Sequence, residues 1–164
     1  MTSSEDAHIP HLRRAVALAR QAREHGNHPF GSTLVDASGA VLLEAENTVV
    51  TERDATGHAE TNLVRLATAQ HDLDVLRTCT LYTSTEPCAM CAGAIYWSGI
   101  GRVVYALGEH ELLTLTGEDP ENPTLDLPSR EVFARGPRGV DVVGPIPLAE
   151  AHEVHAGFWN RPTA

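Results

Sequence analysis

Cys79-Thr80-Leu81-Tyr82-Thr83-Ser84-Thr85-Glu86-Pro87-Cys88-Ala89-Met90-Cys91 changes its structural period partway along. The β-branched and aromatic run Cys79 to Ser84 reads as a central strand. It feeds Thr85-Glu86-Pro87, after which Cys88 to Ser98 reads as a helix. Pro87 at that helix start costs no hydrogen bond, because the first helical N–H groups have no intrahelical partner. Two cysteines three apart on the first turn face the same way.

Upstream, His58-Ala59-Glu60 opens a second helical stretch running from about His58 to Gln70. His58 and Glu60 therefore fall in its first turn, where the positive end of the helix dipole favours a carboxylate. One imidazole and two thiolates form a tetrahedral zinc set with the fourth position left to water, whose pKa the metal lowers toward neutrality. His58, Cys88 and Cys91 are the expected metal ligands, and Glu60 is then free to move protons as the catalytic group. A redox dithiol shares the Cys-x-x-Cys spacing, but the small βαβ setting of a thioredoxin is missing and His-x-Glu is present. A closed structural zinc site would want a fourth Cys or His nearby. The remaining thiol, Cys79, reads instead as a small buried hydrophobe.

Outward from this pair, Leu12, Val16, Ala19 and Ala22 recur at helical spacing and predict a first helix to about His25, with Gly26 placed to end it. Strands are expected at Ser32 to Asp36 and Val41 to Asn47, joined by a hairpin loop at Ala37-Ser38-Gly39-Ala40. A loop through Thr51 to Thr56 leads into the His58 helix. A strand at Arg102 to Ala106, a helical piece near Glu109 to Leu115, a strand at Val140 to Val143 and a helix at Ala149 to Phe158 complete an α/β sandwich. Gly117 to Pro128 and Gly136 to Pro147 read as surface loops, the charges of the first, Glu118, Asp119 and Glu121, being solvated by default. His152 and His155, three apart on the last helix, are expected to form a solvent-facing pair.

A chain of 164 residues with 42% hydrophobic content can bury one core, which sets the expectation of one domain over residues 1–164. Three cysteines build no disulfide framework, and Met1-Thr2-Ser3-Ser4-Glu5-Asp6 lacks the basic and apolar regions of a signal peptide. With no apolar run of membrane-spanning length, a soluble cytoplasmic protein is expected. The 12 basic residues, all Arg, face 22 acidic ones, a net charge of -10 that argues against a nucleic-acid or membrane partner and for a small-molecule substrate. Arg13, Arg14, Arg20 and Arg23 scatter over the polar side of the first helix and read as a solvated face.

His-x-Glu followed by Pro-Cys-x-x-Cys is the signature of zinc deaminases. With Pro29-Phe30-Gly31, Asn47, Thr85-Glu86-Pro87-Cys88-Ala89-Met90-Cys91-Ala92-Gly93-Ala94 and Arg102-Val103-Val104-Tyr105, the chain resembles the cytidine deaminase-like zinc superfamily over roughly residues 11 to 106. Within it, the guanine deaminase and tRNA adenosine deaminase branch is the nearer likeness. The resemblance implies a three-layer α/β/α sandwich with a five-stranded mixed sheet, and a homodimer or larger assembly. It implies zinc on His58, Cys88 and Cys91, with Glu60 as proton shuttle. It also implies Asn47 as the amide that hydrogen-bonds the base, Phe30 as an apolar pocket wall, and Ala59 among the substrate contacts. Without the motif, Asn47 would be an ordinary turn residue and Phe30 ordinary core.

Ile95-Tyr96-Trp97 resembles guanine deaminases more than tRNA enzymes and implies Trp97 at the pocket, although a helical aromatic is buried more often than functional. An acidic residue after the fourth strand, Glu118 or Asp119, is implied as a substrate contact, Glu118 being the expected one. The activity so implied is hydrolytic deamination of an aminated nucleobase, guanine or a related purine or triazine ring. The alternatives are a nucleoside deaminase for cytidine, adenosine or guanosine, a tRNA-binding enzyme disfavoured by charge, and a non-catalytic zinc-binding scaffold subunit, against which Glu60 argues. Phe158-Trp159, after the last helix, must pack either on its own core or on another subunit, and the resemblance tips the reading to a tail crossing the dimer.

Overall fold

A computed structural model of the chain describes residues 4–162; Met1 to Ser3, part of the stretch read above for a signal peptide, lie outside the described residues. Five strands form one sheet in the order β2-β1-β3-β4-β5. β1 (Gly31–Val35) pairs antiparallel with both β2 (Val41–Glu46) and β3 (Thr80–Thr85), while β4 (Arg102–Leu107) and β5 (Asp141–Val143) continue parallel to β3. The sheet is therefore mixed, as the resemblance implied.

Strand alternation sorts the core into two layers, because successive side chains point to opposite faces. Leu34, Leu81, Val103 and Tyr105 meet Leu63 and Ala67 of α2 (Ala59–Gln70) and Ala92 and Ile95 of α4 (Ala89–Ser98). Val35, Tyr82, Val104 and Ala106 meet Leu12, Val16 and Ala19 of α1 (Ile9–Glu24) and Ala151 of α7 (Ala149–Glu153). With both faces covered, β4 is apolar throughout its buried length, as expected of a parallel strand. Gly31 fixes the approach of α1: a Cβ there would lie 2.4 Å from the Ala15 carbonyl oxygen and 2.6 Å from Leu18 Cβ. α1 ends as read, with Gly26 at φ 92 just beyond its cap.

Hairpin β1–β2 closes through Asp36, whose Oδ1 accepts the N–H groups of Ser38 and Ala40 at 2.9 and 3.0 Å. Cys79, just before β3, is buried and its thiol meets the Val75 carbonyl at 3.3 Å. Two short helices escaped the sequence reading, α3 (Leu73–Leu76) and α6 (Ser129–Phe133), each little more than one turn. The last helix is also shorter than expected, ending at Glu153 and not at Phe158. Arg23 Nη1 takes the carbonyls of Val154 and Ala156 at 2.9 and 2.7 Å, and the chain then turns through Gly157 at φ 67 and Asn160 at φ 56.

Among the described residues no helix is long and apolar enough to cross a membrane. Arg13 and Arg14 pair with Glu150 and Glu44 on a solvated face as read, whereas Arg23 departs from that reading by turning onto the tail, where it also lies over the Phe158 ring. In register, Thr85 lies opposite Leu107, and the Glu86 N–H donates to the Leu107 carbonyl at 2.7 Å. The carboxyl ends of the two parallel strands thus open side by side, where ligands settle in open α/β sheets.

Candidate active site

His58 and Cys88 are the N-caps of α2 and α4, both with extended backbone, so their side chains stand beyond the helix ends toward one another. Cys91 follows one turn into α4. His58 Nδ1 lies 3.5 Å from Cys88 Sγ and 3.6 Å from Cys91 Sγ, and the three ligand atoms fall within 4.8 Å of one another. A tetrahedral zinc with ordinary Zn–S and Zn–N lengths would separate sulfur from nitrogen by about 3.6 Å. The triad already has the spacing of zinc ligands. A hydrogen bond from the Cys91 thiol, against the opposing effect of burial, pulls Cys88 down to about 4, with His58 acting in the same direction. The same thiol pair and burial hold Cys91 high, so one thiolate forms readily before any metal arrives. Thr61 Oγ1 supports Cys91 Sγ at 3.2 Å.

Glu60 is buried beside the triad, and its Oε1 accepts the Thr83 hydroxyl at 2.5 Å. Burial raises its proton affinity above the usual carboxylate range, with the Thr83 hydrogen bond pulling the other way. A carboxylate of raised basicity that touches none of the ligands suits proton transfer.

A cavity of about 380 Å³ opens above these groups. His58, Glu60 and Cys88 form its base, Phe30, Asn47 and Val49 one wall, and Leu112 with the 121–125 segment its cover. Asn47 is buried and holds its Oδ1 on the Val49 N–H at 3.1 Å, which leaves its amide NH2 to donate. Phe30 is backed by His155 and Trp159 at centroid distances of 5.5 and 6.1 Å. The structure brings His58, Cys88, Cys91, Glu60, Asn47 and Phe30 together as the sequence implied.

Three expected contacts are not brought there. Trp97 is 85% exposed on the outer face of α4, because the helix turns it away from Cys91. Ala59 is fully buried behind His58 and is not part of the cavity wall. Glu118 is exposed and outside the cavity lining, whereas Asp119, next to it, accepts the Glu121 N–H at 2.9 Å and the Asn160 N–H. The acid of this segment that does reach the cavity is Glu121, which meets His28 Nε2 at 3.2 Å.

The tail also departs from expectation. Phe158 and Trp159 are buried against His28 and Phe30 of their own chain. His155 is buried with them, not solvent-facing: it accepts the Trp159 indole N–H at 3.0 Å, and burial pushes it down to about 4. Sequence reasoning missed His28, Glu109 and the 121–125 segment. The parallel β3–β4 pair offered one signal, since residues just past the carboxyl ends of such strands tend to face the ligand.

A three-ligand zinc site facing a cavity, with a buried carboxylate alongside, at the strand ends of an α/β/α sandwich, defines a zinc-dependent hydrolase. The chain belongs to the family described as the cytidine and deoxycytidylate deaminase zinc-binding region, which matches residues 5–107, and is a zinc-type hydrolytic deaminase. It is 44% identical over 163 residues to a protein named "Probable cytosine deaminase" from Schizosaccharomyces pombe, covering 98% of each chain. It is also 44% identical over 104 residues to the guanine deaminase of Bacillus subtilis, covering 63% of this chain and 65% of that one. A solved structure from studies of A-to-I editing by tRNA:A34 deaminases superimposes with a TM-score of 0.67 at 28% identity, covering 89% of this chain and 99% of that one.

Proposed function

We propose that the protein releases ammonia from a free, unphosphorylated nucleobase. The observation that carries this reading is the covered cavity of about 380 Å³, with Glu60 and the zinc ligands at its base, Asn47 on its wall and Glu109 and Glu121 in its lining. The exposed Glu121 at the cavity and a net charge of -10 repel a polyanion, so a neutral flat ring is the better guest. Cytosine heads the candidates, because the likeness to the probable cytosine deaminase runs the length of both chains and so includes the cavity cover and tail. Guanine or a related purine or triazine ring is the second reading, supported by the Bacillus relative.

Zinc held by His58, Cys88 and Cys91 supplies the Lewis acidity toward water that the side chains lack. Glu60 takes the proton that water loses and passes it to the ring nitrogen beside the attacked carbon. It then takes the remaining proton from the hydroxyl added to that carbon and delivers it to the departing amine as the C–N bond breaks, so that one water is consumed and a carbonyl and ammonia result. Asn47 and Phe30 hold the ring in register with Glu60. A zinc site that needs Cys88 and Cys91 unoxidised supports a reducing, cytoplasmic setting, and a homodimer is the assembly the family likeness supports, which sedimentation would test. The test of function is ammonia release from cytosine, guanine, adenine, aminotriazines, the corresponding nucleosides and a tRNA anticodon stem-loop. Turnover of a free base is expected to be fastest, and faster turnover of the stem-loop or of a nucleoside would overturn the reading.

A further inference from the structure

Glu109, the first residue of α5 (Glu109–Thr116), has no assigned role. It is 4% exposed, it lines the cavity, and its carboxyl group has no hydrogen-bond or ion-pair partner among the described residues. With the rest of the residue buried, its carboxyl group is left to whatever occupies the cavity for a polar partner. Its mounting is firm: Glu86 Oε2 accepts the Glu109 backbone N–H at 2.9 Å, while Glu86 Oε1 accepts the N–H and O–H of Ser129, both at 2.8 Å. The backbone that carries Glu109 is therefore fixed to the residue just before Pro87 and Cys88, at the level of the reacting groups.

We propose that Glu109 reads the ring, meeting the N–H and the adjacent acceptor of an unglycosylated base with its two carboxyl oxygens. This rests on the reading of the protein as a free-base deaminase and names the substrate edge it selects. Burial, the largest cause and one that persists when zinc offsets the charge of Cys88, pushes the Glu109 carboxyl up and favours its acid form. In its acid form the group offers one O–H donor beside one C=O acceptor, the complement of a ring N–H next to a carbonyl or ring nitrogen. A sugar or methyl group on that nitrogen removes the donor and crowds the carboxyl group. The same site that accepts a base would then reject its nucleoside, and a buried polar group left unpaired makes such rejection strong.

The test compares Glu109→Leu and Glu109→Gln with the unaltered protein, all zinc-loaded. It uses cytosine and guanine and their 1-methyl and 9-methyl analogues. Expected for Glu109→Leu is a KM for the preferred base raised about tenfold, kcat little changed, and a preference for the base over its methyl analogue that falls toward one. Glu109→Gln, which keeps one donor and one acceptor, should restore most of that preference. Calorimetric binding of the same ligands in a Glu60→Ala background should give the same ratios without turnover. A carboxyl group serving only the start of α5 would shift the melting temperature and leave the ratio alone, and that result overturns the proposal. If the unaltered protein turns over no free base, the reading of function fails. If it does and Glu109→Leu matches it in KM and in preference, Glu109 alone is wrongly placed.

Discussion

Residues 58–91 hold the reacting groups on the first turns of two helices braced by a central strand, whereas residues 109–129 cover them with a two-turn helix and an irregular segment. In the first region every functional atom has a neighbour that fixes it: Thr61 on Cys91, Thr83 on Glu60, and the ligands on one another. In the second, position comes from the ends. Glu86 holds Glu109 and Ser129, and Asp119 ties the middle to Asn160 of the tail. The zinc ligands and Glu60 sit in the braced part, and on the reading proposed above the tethered part chooses the substrate, as catalytic scaffolds and binding loops generally divide the work.

The sharpest way to break this comparison is at the base of the cavity. Cys88→Ala and Cys91→Ala should each lose both zinc and activity, measured by elemental analysis and ammonia release, because two ligands cannot hold the metal as three do. Full zinc occupancy in both would remove the site. Glu60→Ala should keep one zinc per chain and lower turnover by at least ~100-fold, the usual scale of general acid–base catalysis. Loss of metal in that variant would make Glu60 a ligand.

The wall behind Phe30 responds to pH. His155 is held neutral in the fold down to about 4, chiefly by burial and then by His152 and Arg23, against 6.5 when exposed. A depressed folded pKa contributes stability that is present above pH 6.5 and lost as pH falls toward 4, because the unfolded chain takes up the proton first. The loss amounts to up to about 3 kcal/mol. In His155→Gln, urea midpoints between pH 6.5 and 4 should fall less steeply; an unchanged slope would mean that His155 is charged in the fold.

Over the cavity, Asp119→Ala frees the tail from the covering segment. KM should rise by roughly tenfold, the scale of one charge-assisted hydrogen bond, with kcat and zinc content little altered. Equal losses in kcat would place Asp119 with the reacting groups. The smallest effect belongs to Trp97→Ala, where removal of an 85% exposed ring should leave KM unchanged and stability within about 0.5 kcal/mol. A raised KM there would return Trp97 to the pocket.

The same division decided what could be read from sequence. His58, Glu60, Cys88 and Cys91 announce themselves because metal ligation and proton transfer admit few residue types at few spacings. The strands followed from β-branched runs such as Val103 to Tyr105. Glu109 and Glu121 gave no such signal: a carboxylate at a helix start or in a Pro-rich loop is solvated by default, and only the fold buries Glu109 and brings the still exposed Glu121 to the cavity beside His28. Trp97 failed for a helical reason, since its likeness to a motif carried no information about which side of α4 it takes. His155 was expected to face solvent and Trp159 to pack across a dimer, because the Arg23 contacts that carry the tail beyond Glu153 onto its own chain come from a helix more than a hundred residues earlier.

That one carboxylate receives both ends of the 109–129 span has an evolutionary and engineering side. The span is a module whose insertion points are already close together, so exchanging its interior changes little in the entropy of closing it, whatever the new length. Grafting residues 110–128 from a guanine deaminase between this protein's own Glu109 and Ser129 is therefore a practical route to reprogramming substrate preference, with the metal floor inherited intact.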